Sequence, residues 1–249
     1  MSEDAFGFDT LRISVASGVA HVHLTPTASD GMLGPLMLLE LPAAVAELDA
    51  LPDVRAVLLS VTGTEGDGVL PAGARDVRDA FAGREVALRG QAAAGALAAL
   101  PVPTVAALDG PVHGAALEIA LACDLRVAQE QATLAFPGVQ HGLPSGYGGV
   151  SRLVRLIGEA RATDLLLTGR TVTASEALSL GVVSRTAAGA TADGLELAAA
   201  LAGRESEPRA FAAGLIKEAL LRGGALDLAG ALEVEADLFG LAAGGTAEE

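Results

Sequence analysis

The sequence has no tryptophan, one tyrosine and one cysteine in 249 residues, and aromatic residues make up 3% of it. A core with so few rings has to be built from small aliphatic side chains, and Ala, Leu and Val dominate the 51% that is apolar. One cysteine, Cys123, excludes an intrachain disulfide and reads as a small buried hydrophobe. Basic residues are also scarce: 16 Lys and Arg against 31 Asp and Glu leave a net charge of −15. Such a chain is a poor partner for nucleic acid or anionic membranes, and a phosphate-bearing ligand would need locally placed Arg or Lys. The N-terminal MSEDAFGFDT lacks the basic and apolar regions of a signal peptide. No apolar run reaches the ~20 residues of a membrane span. These absences point to a soluble cytoplasmic protein.

A chain of this length forms one large domain, or a core with a small appendage, burying roughly 70–75% of its unfolded surface. Residues 11–25 alternate apolar and polar around Ser17-Gly18, which predicts a β-hairpin. Residues 33–51 show helical spacing, interrupted by Pro42. VRAVLLSVTG (54–63) and PTVAALDG (103–110) are short continuous apolar runs stopped by turn residues, the pattern of strands buried on both faces. Between them, a Gly-rich stretch (64–81) reads as a loop leading into a short helix, and residues 84–100 as a separate helix ended by Pro101. DLRVAQ and ATLAF read as short strands. SGYGGVSRLVRLIG, EARATDLLLTG and TASEALSLG read as helices, the last two with clear start and stop signals. The remainder, from about Ala192, is helical. Strands alternating with helices, then helices alone, predict an α/β core followed by a C-terminal helical region.

One stretch carries a chemical signal. In DGPVHGAALEIALACD (109–124), a turn leads into a helix whose only polar side chain from Gly114 to Cys123 is Glu118. An acid one turn into a helix is commonly a surface group facing the positive end of the dipole. Here the helix is apolar all round, so it is buried, and a buried carboxylate is costly unless it is paired or used. Glu118 shares a face with Gly114 and Ala115 and leans toward the free N–H groups of its own helix. A carbonyl oxygen held by the Ala115 N–H would then lie near an acid/base group. A second donor is expected from the other Gly-rich loop, VLPAGARD, at the Ala74 N–H.

The order of these pieces resembles the crotonase, or enoyl-CoA hydratase/isomerase, superfamily. SGVAHVHLT resembles its first hairpin, PDVRAVLLSVTG followed by PAGARD its strand and first oxyanion loop, and LPVPTVAALDGPVHGAALEIALACDLRVA its most recognisable stretch. GLPSGYGGVSRLVRLIG and LLLTGRTVTASEALSLGVVSR match its later helices, and DGML stands where the family has an Asn-Ala-Leu segment. The resemblance runs from about Leu11 to Arg185. It implies a spiral of β-β-α turns over residues 1–190 and a helical oligomerisation region over 191–249, supporting trimers or hexamers. It implies an acyl-CoA ligand whose thioester oxygen sits between the N–H groups of Ala74 and Ala115, with Glu118 as the first of two hydratase glutamates. No metal and no redox cofactor are implied.

The sequence departs from that pattern at the second glutamate, whose matching position is Gly138. Arg75 follows Ala74 where an acid is usual, and Asp30 stands where basic residues often meet coenzyme A. His113, His141 and Tyr147 fall in segments flanking the family's acyl pocket. Lys217 matches a basic position of the C-terminal helix and is a candidate coenzyme A contact. Three readings follow: a hydratase-type enzyme acting through a thioester enolate with one glutamate, an isomerase or decarboxylase of an acyl-CoA or acyl-carrier thioester, and a non-catalytic scaffold subunit.

Overall fold

The computed structural model describes residues 6–24, 34–62, 79–203 and 208–245. The chain opens with β1 (Leu11–Ala16) and β2 (Val19–Leu24), an antiparallel hairpin with Leu11 opposite Leu24. Ser17 (φ 52°) and Gly18 (φ 81°) form its two-residue turn, the left-handed geometry that suits the twist of a hairpin. Helix α1 (Met37–Asp49) continues past Pro42 and leads to β3 (Ala56–Thr62). Helix α2 (Ala80–Ala99) follows as one continuous element. Its start is set by the Asp79 carboxylate, which accepts from the Phe81 and Ala82 N–H groups, so the helix expected over 84–100 begins four residues earlier; the short helix expected before it falls mainly outside the described residues.

Next come β4 (Thr104–Asp109), β5 (Pro111–His113), α3 (Gly114–Ala120), β6 (Leu125–Gln129) and β7 (Thr133–Ala135). A 3-10 turn (Pro137–His141) then leads to α4 (Gly149–Ile157), α5 (Glu159–Thr168), β8 (Val172–Thr173), α6 (Ala174–Leu180) and β9 (Arg185–Ala187). The C-terminal part is α7 (Ala190–Ala202), α8 (Pro208–Gly223) and α9 (Leu228–Gly245). The main sheet has the order β1-β2-β3-β4-β6-β9 and is parallel from β2 onward. A smaller sheet has the order β5-β7-β8.

The main sheet is buried on both faces, which is why β3 and β4 read as unbroken apolar runs. On one face Val57, Leu59, Val61, Ala106 and Leu108 join the large core formed with α1, α2 and α3. On the other, Leu58, Val105 and Ala107 meet Ala190, Ala198 and Ala202 of α7. A Cβ on Gly194 would stand 2.8 Å from Leu58, so glycine lets α7 lie close to the sheet. Asp109 fixes the start of α7, accepting from the N–H groups of Ala190 and Thr191. Helix α7 therefore belongs with the sheet, although it lies beyond residue 190. Helices α8 and α9 pack chiefly on each other, α8 also touching α7, and leave Ile216 (63%), Leu220 (72%) and Phe239 (76%) exposed.

Candidate active site

Glu118 is 2% exposed, deep under α4. Its partners are not the free N–H groups of its own helix, as expected, but those of the next one. The N–H groups of Tyr147 and Gly149 both donate to Oε2 at 2.8 Å. The physical reason is register. Glu118 is the fifth residue of α3, past the helix start, and its side chain faces the segment 145–149 that leads into α4. That segment, Ser-Gly-Tyr-Gly-Gly, is rich in backbone donors. Gly148 adopts φ 99°, which turns successive N–H groups inward, and a Cβ on Gly149 would stand 2.7 Å from Glu118 Cγ.

Burial pushes the Glu118 carboxyl above its ordinary range, because the charged form is stripped of water. The N–H groups of Gly149, Tyr147 and Gly146 and the Ser145 side chain oppose that rise. The carboxylate is thus solvated by neutral dipoles, and a group with its protonated form favoured by burial suits proton transfer near neutral pH.

The donor segment is itself held. The Tyr147 ring is fully buried over Gly90 of α2, where a Cβ would stand 1.9 Å from the ring. Gln91 Nε2 donates to the Gly146 carbonyl at 2.9 Å, and Arg152 Nη1 donates to the Tyr147 carbonyl at 2.9 Å. Tyr147 acts here through its backbone and its packing. Gly90, Gln91 and Arg152 carry no signal in the sequence that marks them as supports of the segment that meets Glu118. The SGYGG run does, since consecutive glycines before a helix make a concave array of N–H donors.

Ala115, 3% exposed, is the second residue of α3, where the N–H has no acceptor inside the helix. His113 is half-buried at the end of β5 with Nε2 3.2 Å from Thr133 Oγ1, and burial lowers its pKa. His141 is exposed at the end of the 3-10 turn. Gly138 lies in that turn with its N-terminal neighbour Pro137 buried, and a Cβ there would stand 2.6 Å from the Leu143 carbonyl oxygen. A side chain at position 138 therefore requires the 138–143 backbone to move. A largely apolar cavity of about 630 Å³ is lined by Phe136, Val139, Leu143, Ser145, Val150 and Leu166, and Glu118 is not in its lining. Lys217 is only 4% exposed, its ammonium 2.9 Å from both Asp124 Oδ2 and the Val102 carbonyl. It ties α8 to the sheet. Ala74, with Asp30 and Arg75, lies outside the described residues. Among the described residues no cluster of three or more His, Cys, Asp or Glu could hold a metal ion, and no helix is long and apolar enough to cross a membrane.

The enoyl-CoA hydratase/isomerase family model matches residues 14–243. The chain belongs to the enoyl-CoA hydratase/isomerase family. Within that family, the human enoyl-CoA hydratase domain-containing protein 2, mitochondrial, is 36% identical, covering 94% of this chain and 82% of that protein. The crystal structure of the enoyl-CoA hydratase from Bacillus anthracis superimposes with a TM-score of 0.82 at 27% identity, over 93% of this chain and 90% of that one. DspI of Pseudomonas aeruginosa gives 0.82 at 27% identity, over 95% and 90%. The architecture is the crotonase fold, and the protein is an enoyl-CoA hydratase/isomerase-like enzyme.

Proposed function

We propose that this enzyme binds an acyl thioester, stabilises its enolate with backbone N–H groups and uses Glu118 as its single acid/base group. The observation that carries the reading is the Glu118 carboxylate, 2% exposed and held by two neutral N–H groups rather than by a cation. The 145–149 donors offset only part of the cost of burial, and a carboxyl whose protonated form burial favours suits a group that takes up and releases a proton. The Ala115 N–H, and the Ala74 N–H from the preceding loop, would hold the thioester oxygen as negative charge develops on it. The acyl group is carried on coenzyme A or on a carrier protein, and no metal or redox cofactor takes part.

With Gly138 in the second position, and the Leu143 carbonyl where a side chain would begin, one carboxylate does the acid/base work. That favours proton transfer at the α-carbon, as in isomerisation or decarboxylation, over hydration, which needs water held and activated as well. The test is a Glu118→Gln variant assayed for exchange of the α-proton of butyryl-CoA. The loss expected is ~10²–10⁴-fold with thioester binding retained; unchanged exchange would return Glu118 to a structural role.

The exposed apolar face of α8 and α9 is proposed to be covered by further copies, in a trimer or hexamer. Light scattering that shows a stable monomer at micromolar concentration would contradict this. Cytoplasmic residence is proposed from composition alone.

A further inference from the structure

We propose that Arg152 is a positioning residue for Glu118, holding the Tyr147–Gly149 donor segment on the carboxylate and supplying a positive charge behind it. The inference rests on Glu118 being the acid/base group, but its test reads the carboxyl directly.

The geometry is local. Tyr147 is gripped at both ends of its backbone: its N–H donates to Glu118 Oε2 at 2.8 Å, and its carbonyl accepts from Arg152 Nη1 at 2.9 Å. The guanidinium lies over Gly148, where a Cβ would stand 2.2 Å from Nη1. Glycine at 148 thus serves twice, allowing φ 99° and leaving room for the arginine. Arg152 is the fourth residue of α4, so its side chain leans back along the helix toward the very turn that presents the donors. On the other side, Gln91 Nε2 donates to the Gly146 carbonyl. That carbonyl belongs to the peptide whose N–H meets Glu118, so the bond polarises the donor. Helices α2 and α4 therefore hold one loop between them.

Charge points the same way. Burial lowers the pKa of the half-buried Arg152, and the Glu118 carboxylate opposes that fall without a direct ion pair; around Glu118 itself burial and the 145–149 donors dominate, so the charge of Arg152 reaches it across the Tyr147 peptide. Among the described residues around Glu118, Arg152 is the one that can act as a counter-charge. Glu85 and Arg89 of α2 pair with each other at the surface. His113 is engaged with Thr133, and burial keeps it neutral more readily. The Cys123 thiol, near Arg152, is pushed up to about 12 by burial and stays uncharged at neutral pH.

A cation near a carboxylate favours the ionised form, so removing it raises the carboxyl midpoint further. The experiment is a ¹³C NMR titration of the full chain labelled at the glutamate carboxyl carbon. The Glu118 resonance is identified by its loss in Glu118→Gln. Arg152→Gln is expected to move the Glu118 midpoint up by about one pH unit, a tenfold change in ionisation constant. The basic shift of the α-proton exchange profile should follow it. Arg152→Lys, which keeps the charge but loses the planar fork, should recover more than half of the shift. Where Arg152→Gln does not fold, the Lys variant carries the test through its smaller upward shift. A midpoint unmoved in the folded variants overturns the proposal. If the midpoint moves while Glu118→Gln leaves exchange unaffected, the positioning role stands and the acid/base reading fails.

Discussion

Two charged groups in this molecule are almost equally buried, and they are treated in opposite ways. Lys217, on α8, meets an opposite charge: its ammonium faces Asp124, whose Oδ2 also accepts from the Thr104 N–H (2.7 Å) and hydroxyl (2.8 Å), and it donates to the Val102 carbonyl. Glu118, on α3, meets only dipoles, with Arg152 one peptide away. A buried charge closed by its opposite is glue, because breaking it strands the partner. A buried carboxylate closed by neutral dipoles keeps its proton equilibrium within reach, and burial shifts that equilibrium toward the acid form. The first arrangement holds an appended helical pair to the sheet. The second has the character of a working group.

Mutations should separate the two. Gly149→Ala places a methyl within 2.8 Å of Glu118 Oε2. A displaced catalytic group of about 1 Å costs up to ~10²-fold, so α-proton exchange is expected to fall by roughly 10–100-fold. The overpacking should cost about 1–3 kcal/mol in denaturant unfolding. A fold-change below two would show that the donor segment tolerates slack and weaken the contrast. Lys217→Met should do the reverse. Leaving Asp124, a third exposed, without its cation costs about 2–3 kcal/mol, discounted from the 3–5 of a fully buried pair. Amide exchange across α8 and α9 should quicken while turnover per folded site changes less than twofold. A large loss of turnover with normal thioester binding would move Lys217 into the chemistry, and a loss confined to coenzyme A affinity would restore the role expected from its sequence position.

The parts legible in the sequence were those where one local pattern decides the outcome. β3 and β4 are buried on both faces, so composition alone marks them. The hairpin turn at Ser17-Gly18 and the stops at Gly169 and Gly181 are set by positive φ, which glycine signals. Glu118 stood out because nothing else in its helix is polar. The strands β5, β8 and β9, two or three residues long, were not legible, since pairing across the fold defines them. The start of α2, four residues before the expected one, turned on a single capping carboxylate, Asp79. In the site, the carboxylate was legible and the SGYGG run could be read as an array of donors, but the pairing of the two was not. The donors come from a segment about thirty residues downstream, and the side chains that hold that segment lie on two different helices. Lys217 shows the complementary limit. A basic residue on a C-terminal helix looks the same in sequence whether it faces a phosphate or an aspartate of its own chain.

The most direct test of the single-carboxylate account compares two reactions of the wild-type protein: α-proton exchange of butyryl-CoA in D₂O, followed by NMR, and hydration of crotonyl-CoA, followed by loss of the enoyl absorbance. Exchange needs one base and an oxyanion site; hydration needs water oriented as well. The account predicts measurable exchange that disappears in Glu118→Gln, with hydration slow or absent. Efficient hydration by the wild type would contradict it, and would leave His113, His141 or an unassigned group to act as the second catalyst.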